Sequence, residues 1–201
     1  MIKIDNASKI IKKKTVLKHV TTTFETGNCY LLKGHNGCGK TMLLRLICGL
    51  ISPTQGTVTT TGNPKFGVII EHPQFMENES ALYSLEYLAK IQDTIGRDDI
   101  MNSLAQLNLD NHANEKVKTF SLGMKQRLSI CQAIIENPDV LLLDEPLNAL
   151  DEKNIKCVWD ILDFEKEKGE IIIIAAHSLD ADMLSHFDHI LTMHEGELEF
   201  G

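Results

Sequence analysis

Short, uninterrupted runs of apolar residues alternate along the chain with longer stretches in which apolar residues recur every three or four positions. A short continuous run is typical of a strand buried on both faces, as in a parallel sheet, whereas the longer period is typical of an amphipathic helix. The runs predict strands at residues 29–32, 66–70, 140–143 and 171–176. The helical period predicts helices at residues 41–50, 82–91, 98–107 and 122–135.

The end of the chain has a different pattern. Apolar residues 190–193 and 198–200 flank the polar segment 194–197, which contains Gly196. Two short apolar runs separated by a glycine-containing turn predict a β-hairpin. Together, these elements predict an α/β core whose middle third, roughly residues 72–136, is a helical insertion.

Composition narrows the class of protein. The chain has 201 residues, of which 43% are hydrophobic and 24% are charged, as in ordinary globular proteins. Twenty Lys and Arg against 28 Asp and Glu give a net charge of −8, which argues against a nucleic-acid partner held by a general basic field. No apolar run approaches the ~20 residues of a membrane helix, and we expect no signal peptide. Five cysteines without a Cys-x-x-Cys pair favour a reducing cytoplasm.

The strongest motif is a complete match to G-x-x-x-x-G-K-[ST] at residues 34–41, the phosphate loop, between a predicted strand and a predicted helix. Glycines let backbone N–H groups turn inward around an anion, and the following helix directs its positive end at the same point. Lys40 would bind the β- and γ-phosphates, and the Thr41 hydroxyl would coordinate Mg²⁺. The predicted nucleotide-binding residues here are Gly34, His35, Asn36, Gly37, Cys38, Gly39, Lys40, Thr41 and Met42.

A second motif is the pair of carboxylates, Asp144 and Glu145, that follows the strand predicted at 140–143. At the carboxyl edge of a parallel sheet this pair would lie beside the phosphate loop. Asp144 would then hold Mg²⁺, directly or through water, and Glu145 would polarise the attacking water. Taken alone, the pattern also fits two solvated acids before a proline turn.

The third motif is the signature segment, residues 121–127, which precedes a predicted helix. Ser121 can cap that helix and leave N–H groups free for an anion. By itself this is only a capped helix, but it follows a helical insertion in a chain that also has a phosphate loop. The segment Ala149-Leu150-Asp151 and a lone His177 after a strand follow these motifs in the chain. On this set of motifs, the whole chain resembles the nucleotide-binding subunit of an ABC transporter.

The resemblance implies a P-loop ABC cassette with a mostly parallel core sheet, an N-terminal antiparallel β part and a helical lobe that carries the signature segment. Residues 1–201 would form one domain, with 1–71 and 137–201 as the core lobe and 72–136 as the helical lobe. Two identical or similar cassettes would bind head to tail around two ATP molecules. Ser121 and Gly123 would contact the partner's γ-phosphate, the segment Leu147–Asp151 would couple the two sites across the interface, and His177 would sense the γ-phosphate and position Glu145.

Three positions depart from the family's usual pattern. The signature segment has Phe120-Ser121-Leu122-Gly123-Met124 where the family commonly has Leu-Ser-Gly-Gly-Gln, and this variant resembles drug, bacitracin and lantibiotic export or self-immunity ATPases. Glu71 stands where a glutamine usually ends the strand before the helical lobe, so we expect it to sense Mg²⁺ and the lobe, with Gln74 as second choice. Ile11 stands where an aromatic residue would stack on adenine, which leads to the hypothesis of a lost adenine preference.

These motifs and the resemblance predict a Mg²⁺-dependent ATPase on the cytoplasmic face of the cell membrane, attached to a separately encoded permease that exports peptide, antibiotic or drug. The alternatives are a non-transport ABC ATPase acting in DNA repair or translation, and a nucleotide-binding regulatory module with little turnover. The predicted catalytic residues are Glu145, His177, Glu71 and Gln74, and the predicted Mg²⁺ ligands are Thr41, Asp144 and Glu71.

Overall fold

The computed structural model describes residues 1–71, 74–92 and 95–200. The strands in these ranges are β1 (Ile2–Ile11), β2 (Lys14–Phe24), β3 (Cys29–Lys33), β4 (Gln55–Thr60), β5 (Phe66–Ile69), β6 (Val140–Asp144), β7 (Ile171–Ala176), β8 (His189–His194) and β9 (Glu197–Phe200). The α-helices are α1 (Lys40–Ile47), α2 (Ala81–Gln92), α3 (Arg97–Gln106), α4 (Leu122–Ile134) and α5 (Glu152–Glu167). Short 3₁₀ helices lie at Asp110–His112, Val117–Thr119 and Ala181–His186.

The strands form two sheets. The larger sheet has the order β5-β6-β7-β3-β8-β9, and all its neighbouring strands are parallel except β8 and β9, which form the predicted hairpin. The smaller sheet has the order β2-β1-β4 and is antiparallel throughout. The predicted fold class, with its mostly parallel core sheet and N-terminal antiparallel part, is therefore confirmed.

The register of the parallel strands brings three chain segments to one edge of the larger sheet. Lys33, the last residue of β3, pairs with Ala176 of β7, and Asp144 pairs with Ala175. The phosphate loop follows β3 and His177 follows β7 directly. Because parallel strands all end at the same edge, residues far apart in the chain lie close together there.

Both faces of the larger sheet are covered, which explains why its strands are continuous apolar runs. Successive side chains of a strand point to opposite faces. Ile171 and Ile173 of β7 belong to an apolar cluster that includes residues of β1, β2 and α1. Ile172 and Ile174 belong to a second cluster, built with residues of α2, α3, α4 and α5.

The predicted elements agree with the structure except in a few places. Helix α1 ends at Ile47 rather than at residue 50, because Gly49 has a φ of 75° and the N–H of Cys48 closes the last turn on Leu44. Helix α5 was not among the predicted elements. The division into a core lobe and a helical lobe stays a prediction, and its boundary at residue 72 lies outside the described residues.

None of the helices formed by the described residues combines the length and the hydropathy that a membrane crossing requires.

Candidate functional site

A cavity of about 780 Å³ lies at the carboxyl edge of the larger sheet. The phosphate loop and the start of α1 form one wall, and the carboxylates at the end of β6, Asp144 and Glu145, form another. The remaining wall consists of β2 and the turn between β8 and β9. Residues that line the cavity and were not predicted as site residues are Lys14, Thr15, Val16, Lys18, Gln126, Asn148, Glu195 and Gly196.

The phosphate loop has the backbone conformation that its glycines allow. Gly37 and Gly39 have φ values of 81° and 120°, in the left-handed region that other residues rarely adopt. A side chain at Gly34 would lie 2.4 Å from the carbonyl oxygen of Met193. All the predicted loop residues except Gly34 line the cavity, and the N-cap of α1 has no side-chain hydrogen bond, so its first N–H groups stay available to an anion.

Lys40 supplies a buried positive charge beside the phosphate loop. Only 6% of the residue is exposed, and its Nζ donates to the carbonyl oxygens of Gly34 (2.6 Å) and His35 (3.3 Å). A buried ammonium needs such partners, because leaving it unpaired costs several kcal/mol. The ammonium is therefore held against the loop whose N–H groups would surround a phosphate.

Thr41 and Asp144 meet across the cavity, although 103 positions separate them in the chain. The Thr41 hydroxyl donates to Oδ2 of Asp144 at 2.5 Å. Burial raises the pKa of Asp144; the Thr41 hydrogen bond opposes this shift and the Glu145 carboxylate adds to it. The Thr41 hydroxyl and the Asp144 carboxylate offer hard oxygen ligands. The nearby Glu145 carboxylate adds negative charge, which a bound cation would neutralise. These residues therefore fit a Mg²⁺ ion.

Glu145 and His177 form a second pair at the same edge. Glu145 has a φ of 50°, and its N–H donates to the carbonyl oxygen of Ala175 at 2.8 Å. Its Oε1 accepts from the backbone N–H of His177 at 3.0 Å and lies 3.0 Å from Nδ1 of the same residue. Among the described residues nothing donates to Oε2, so the second carboxylate oxygen stays available.

The β8–β9 hairpin supports the phosphate loop from the far end of the chain. The Gly196 N–H donates to the carbonyl oxygen of Cys38 at 2.8 Å, and the Lys18 N–H donates to the carbonyl oxygen of Gly196 at 2.8 Å. A side chain at Gly39 would lie 3.1 Å from both the Met193 sulfur and the Val16 carbonyl oxygen. No local sequence signal could reveal this support, because it joins three distant segments.

The two candidates for the lobe-sensing position lie in different surroundings. Glu71 lines the cavity, and its Oε1 accepts from Arg45 of α1 at 2.6 Å. Gln74 is exposed and lies outside the lining. A different glutamine also links the helical insertion to the site: Nε2 of Gln126 donates to the carbonyl oxygen of Pro146 at 3.0 Å, and Gln126 lines the cavity. Its position in the signature segment was the available signal.

Unlike Gln126, the signature residues Ser121 and Gly123 do not line the cavity of their own chain. Ser121 is exposed and caps α4 by accepting from the Met124 N–H at 3.2 Å. Gly123 lies so close to Ala149 that a side chain would come within 2.8 Å of its carbonyl oxygen. Asp151 also lies outside the lining and caps α5 by accepting from the N–H of Asn154 at 2.8 Å.

Ile11 lies at the end of β1, where 37% of it is exposed, and it is not among the lining residues. Val16 of β2 is the apolar residue of this part of the chain that lines the cavity.

Among the described residues, no three His, Cys, Asp or Glu side chains form a group that could hold a metal ion.

Comparison with known proteins gives the family. The family model described as ABC transporter matches residues 17–148. The chain is 48% identical to the uncharacterized ABC transporter ATP-binding protein YybJ of Bacillus subtilis (strain 168), over 99% of this chain and 95% of that protein. It is 34% identical to the lantibiotic transport ATP-binding protein SrtF of Streptococcus pyogenes, over 94% of this chain and 83% of that protein.

A third relative is the bacitracin transport ATP-binding protein BcrA of Enterococcus faecalis, at 34% identity over 98% of this chain and 68% of that protein. Among solved structures, the dimeric bacterial ABC transporter cassette MJ0796 superposes with a TM-score of 0.88 at 26% identity, covering 99% of this chain and 97% of that chain. The predicted resemblance is thereby confirmed: the chain belongs to the ABC transporter family and carries its ATP-binding domain.

Proposed function

We propose that this chain binds and hydrolyses ATP with Mg²⁺ and energises a separately encoded membrane permease that exports a peptide, an antibiotic or a drug. The observation that carries the proposal is the meeting in one cavity of Lys40, the Thr41–Asp144 pair and Glu145 held by His177. Phosphoryl transfer needs charge stabilisation and a positioned nucleophile more than covalent chemistry. In the cavity, Lys40 would stabilise the charge and Glu145 would position the nucleophile.

Binding would begin at the phosphate loop. The N–H groups at the start of α1 and the Lys40 ammonium would hold the β- and γ-phosphates of ATP. Lys40 already lies against the loop, so little side-chain freedom is lost when the phosphates bind. When bound between Thr41 and Asp144, Mg²⁺ would neutralise charge on the phosphate oxygens.

Hydrolysis would depend on the orientation of Glu145. His177 occupies Oε1 through both its backbone N–H and its ring nitrogen, and this leaves Oε2 to accept a proton from the attacking water. His177 is thus a positioning residue for the carboxylate in this proposal. Glu71, or Gln74 as second choice, would report the state of Mg²⁺ to the helical lobe.

The signature segment would serve a second cassette. Ser121 is exposed at the N-terminus of α4 and lies outside the chain's own cavity, as expected if Ser121 and Gly123 contact a γ-phosphate held by the partner. The segment Leu147–Asp151 would couple the two sites. The dimeric relative of known structure supports a dimer, and the place of Ser121 outside its own cavity supports a head-to-tail arrangement. The relatives named for lantibiotic and bacitracin transport support a permease partner at the cytoplasmic face of the membrane.

Glu145→Gln tests the proposal. The amide keeps the shape of the side chain but accepts a proton poorly, so we expect phosphate release from MgATP to fall at least ~100-fold. ATP should still bind, and gel filtration with ATP should show a trapped dimer. Glu199→Gln, the same change at an exposed position of β9, is the matched control and should behave as wild type.

Two results would count against the proposal. Wild-type turnover by Glu145→Gln would remove Glu145 from the role of base. Absence of phosphate release from the wild-type protein would favour a regulatory module. Transport is tested separately: the chain should co-purify with a multi-helix permease encoded beside it, and a DNA-repair or translation complex in its place would favour the non-transport alternative.

A further inference from the structure

The segment that follows β6, residues 145–151, packs against the first turns of α4 in the same chain. A side chain at Gly123 of α4 would lie 2.8 Å from the carbonyl oxygen of Ala149. Three residues further along the helix, Nε2 of Gln126 donates to the carbonyl oxygen of Pro146 at 3.0 Å. Helix positions three apart lie on the same face. One face of α4 therefore holds two points of this segment.

The hydrogen bond from Gln126 is the support that Pro146 receives at its carbonyl group. Pro146 is buried, and Gln126 is half-buried at the wall of the nucleotide cavity. Among the described residues, no other group donates to the Pro146 carbonyl oxygen. A buried carbonyl group that loses its donor is left unsatisfied, which destabilises the conformation that buries it. Loss of the Gln126 amide should therefore loosen this part of the segment.

Glu145, the proposed base, directly precedes Pro146 and has a backbone conformation that needs support. Its φ of 50° lies in the left-handed region, which residues other than glycine adopt only when their surroundings hold them there. On the side of β7, its N–H donates to the carbonyl oxygen of Ala175 at 2.8 Å. On the side of α4, the Gln126 amide holds the carbonyl group of the next residue. The direction of the Glu145 side chain therefore depends on both contacts.

The same helix carries the residue proposed to meet a second cassette. Ser121 lies exposed at the N-terminus of α4, five residues before Gln126. At a rise of ~1.5 Å per residue, the two positions are about 7.5 Å apart along the helix axis. Backbone hydrogen bonds make an α-helix move largely as one piece over so short a distance. A displacement at Ser121 should therefore reach the Pro146 carbonyl group through Gln126.

We propose that Gln126 is a positioning residue: it holds the backbone beside Glu145 and passes to it any movement of α4 that a second cassette causes. The proposal deepens the ATP hydrolysis proposed above and rests on it. Because the amide donor of Gln126 is used by Pro146, its removal should lower kcat and leave the affinity for ATP almost unchanged.

Gln126→Met tests the contact. Methionine has a similar length and no charge, but it lacks the N–H donor. We expect kcat for MgATP to fall at least ~10-fold, with KM and ATP affinity within about threefold of wild type. Gln132→Met is the matched control, because Gln132 lies six residues later on the same helix and, among the described residues, forms no hydrogen bond with 145–151. A wild-type kcat in Gln126→Met, or an equal loss in both variants, would overturn the proposal.

A double variant separates positioning from a general loss of structure. If Gln126 acts through the Glu145 carboxylate, Gln126→Met should change the residual phosphate release of Glu145→Gln by less than about twofold. A general distortion of the cavity would lower that residual rate by the same ~10-fold factor as in the wild type. Such an additive loss would overturn the proposal.

Hydrogen–deuterium exchange decides the proposal even if the wild type releases no phosphate, in which case only the proposed hydrolysis fails. The N–H groups of Asn148 and Leu150 donate to the carbonyl oxygens of Glu145 and Leu147, both at 3.3 Å. We expect Gln126→Met to speed their exchange at least about threefold and to leave that of α5 unchanged. Unchanged exchange at both N–H groups would overturn the proposal.

Discussion

The N-termini of α1 and α4 are both predicted to bind an anion, but they lie in opposite surroundings. Helix α1 begins inside the cavity after Gly39, with no side-chain cap and with Lys40 buried beside it. Helix α4 begins at the surface, where Ser121 accepts the Met124 N–H and Leu122 is 64% exposed. The first terminus has its cation, its free N–H groups and its cavity within one chain, whereas the second has a cap and open surface.

The difference indicates that the two termini act at different stages. A site that is complete within one chain can bind nucleotide by itself, so damage to α1 should abolish binding. An exposed terminus contributes only when another molecule covers it, so damage to α4 should leave binding intact and lower turnover. Lys40→Ala and Ser121→Ala test this contrast, with the larger effect expected at Lys40, and Glu170→Gln serves as a stability reference with the smallest effect.

Lys40→Ala should have the largest effect. It removes the buried ammonium that would pair with the phosphates, so we expect ATP affinity to fall at least ~100-fold, or about 2.7 kcal/mol, in a direct binding assay. Lys153→Ala, at an exposed position of α5, is the control and should bind ATP as wild type does. Retention of wild-type affinity by Lys40→Ala would show that the α1 terminus is not the phosphate site.

Ser121→Ala should have an intermediate effect of a different kind. We expect ATP affinity within threefold of wild type but phosphate release at least tenfold slower. Loss of the cap should also lower the free energy of unfolding by about 1 kcal/mol. The control is Ser80→Ala before α2, because Ser80 accepts from the N–H of Tyr83 at 3.1 Å in the same way.

The two serine variants separate stability from function. Both should show a lower melting temperature, by about 2–4 °C, in a thermal unfolding scan. Only Ser121→Ala should lose turnover. If Ser80→Ala slows phosphate release as much as Ser121→Ala does, loss of a helix cap explains the effect. The proposal of a special role for the α4 terminus would then be wrong.

Glu170→Gln should have the smallest effect and gives a stability reference far from both termini. Burial, with a hydrogen bond to Glu165, raises the pKa of Glu170 to about 8. The native state therefore keeps a proton that the unfolded chain loses above its ordinary pKa, so this stabilising contribution is complete at low pH and is lost as pH rises through about 8. The amide cannot ionise and should remove that loss.

Chemical unfolding at several pH values measures the effect. Between pH 6 and 9 the free energy of unfolding of the wild type should fall by on the order of 1 kcal/mol more than that of Glu170→Gln. Phosphate release should not change. Glu167→Gln, exposed near the end of α5, should keep the wild-type pH dependence. A parallel pH dependence in wild type and Glu170→Gln would contradict the buried proton.

The elements that sequence predicted well are those whose pattern is local. Strand β7 is six consecutive apolar residues, and β6 is four followed by Asp144, so each strand could be recognised within a short window. Helix α5 was missed although Asp151 caps it and Val158 and Leu162 recur at helical spacing. In the sequence, charged residues of the outer face interrupt the apolar pattern of α5. In the structure, the apolar residues of α5 belong to the cluster that covers one face of the larger sheet.

In the candidate site too, the parts with a local sequence pattern were predicted and the parts formed by distant segments were not. The phosphate loop was identified from eight consecutive residues, since its chemistry depends on glycine conformation and on one lysine. Other parts of the cavity were not identified: Ile11 was predicted as a nucleotide-binding residue and does not line the cavity, whereas Lys14, Val16 and Glu195 do. β2 and the hairpin turn reach the cavity through pairing and packing between distant segments, which no short window contains.

The sequence by itself determined the phosphate loop, the carboxylate pair after β6 and the order of motifs that identifies the family, because these depend on residue type and spacing. Only the tertiary structure showed that Thr41 contacts Asp144, that the backbone N–H of His177 donates to Glu145 and that the Gly196 N–H donates to Cys38. The physical reason is that parallel strands end at one edge, so hydrogen bonds a few ångströms long join residues that lie tens to more than a hundred positions apart in the chain.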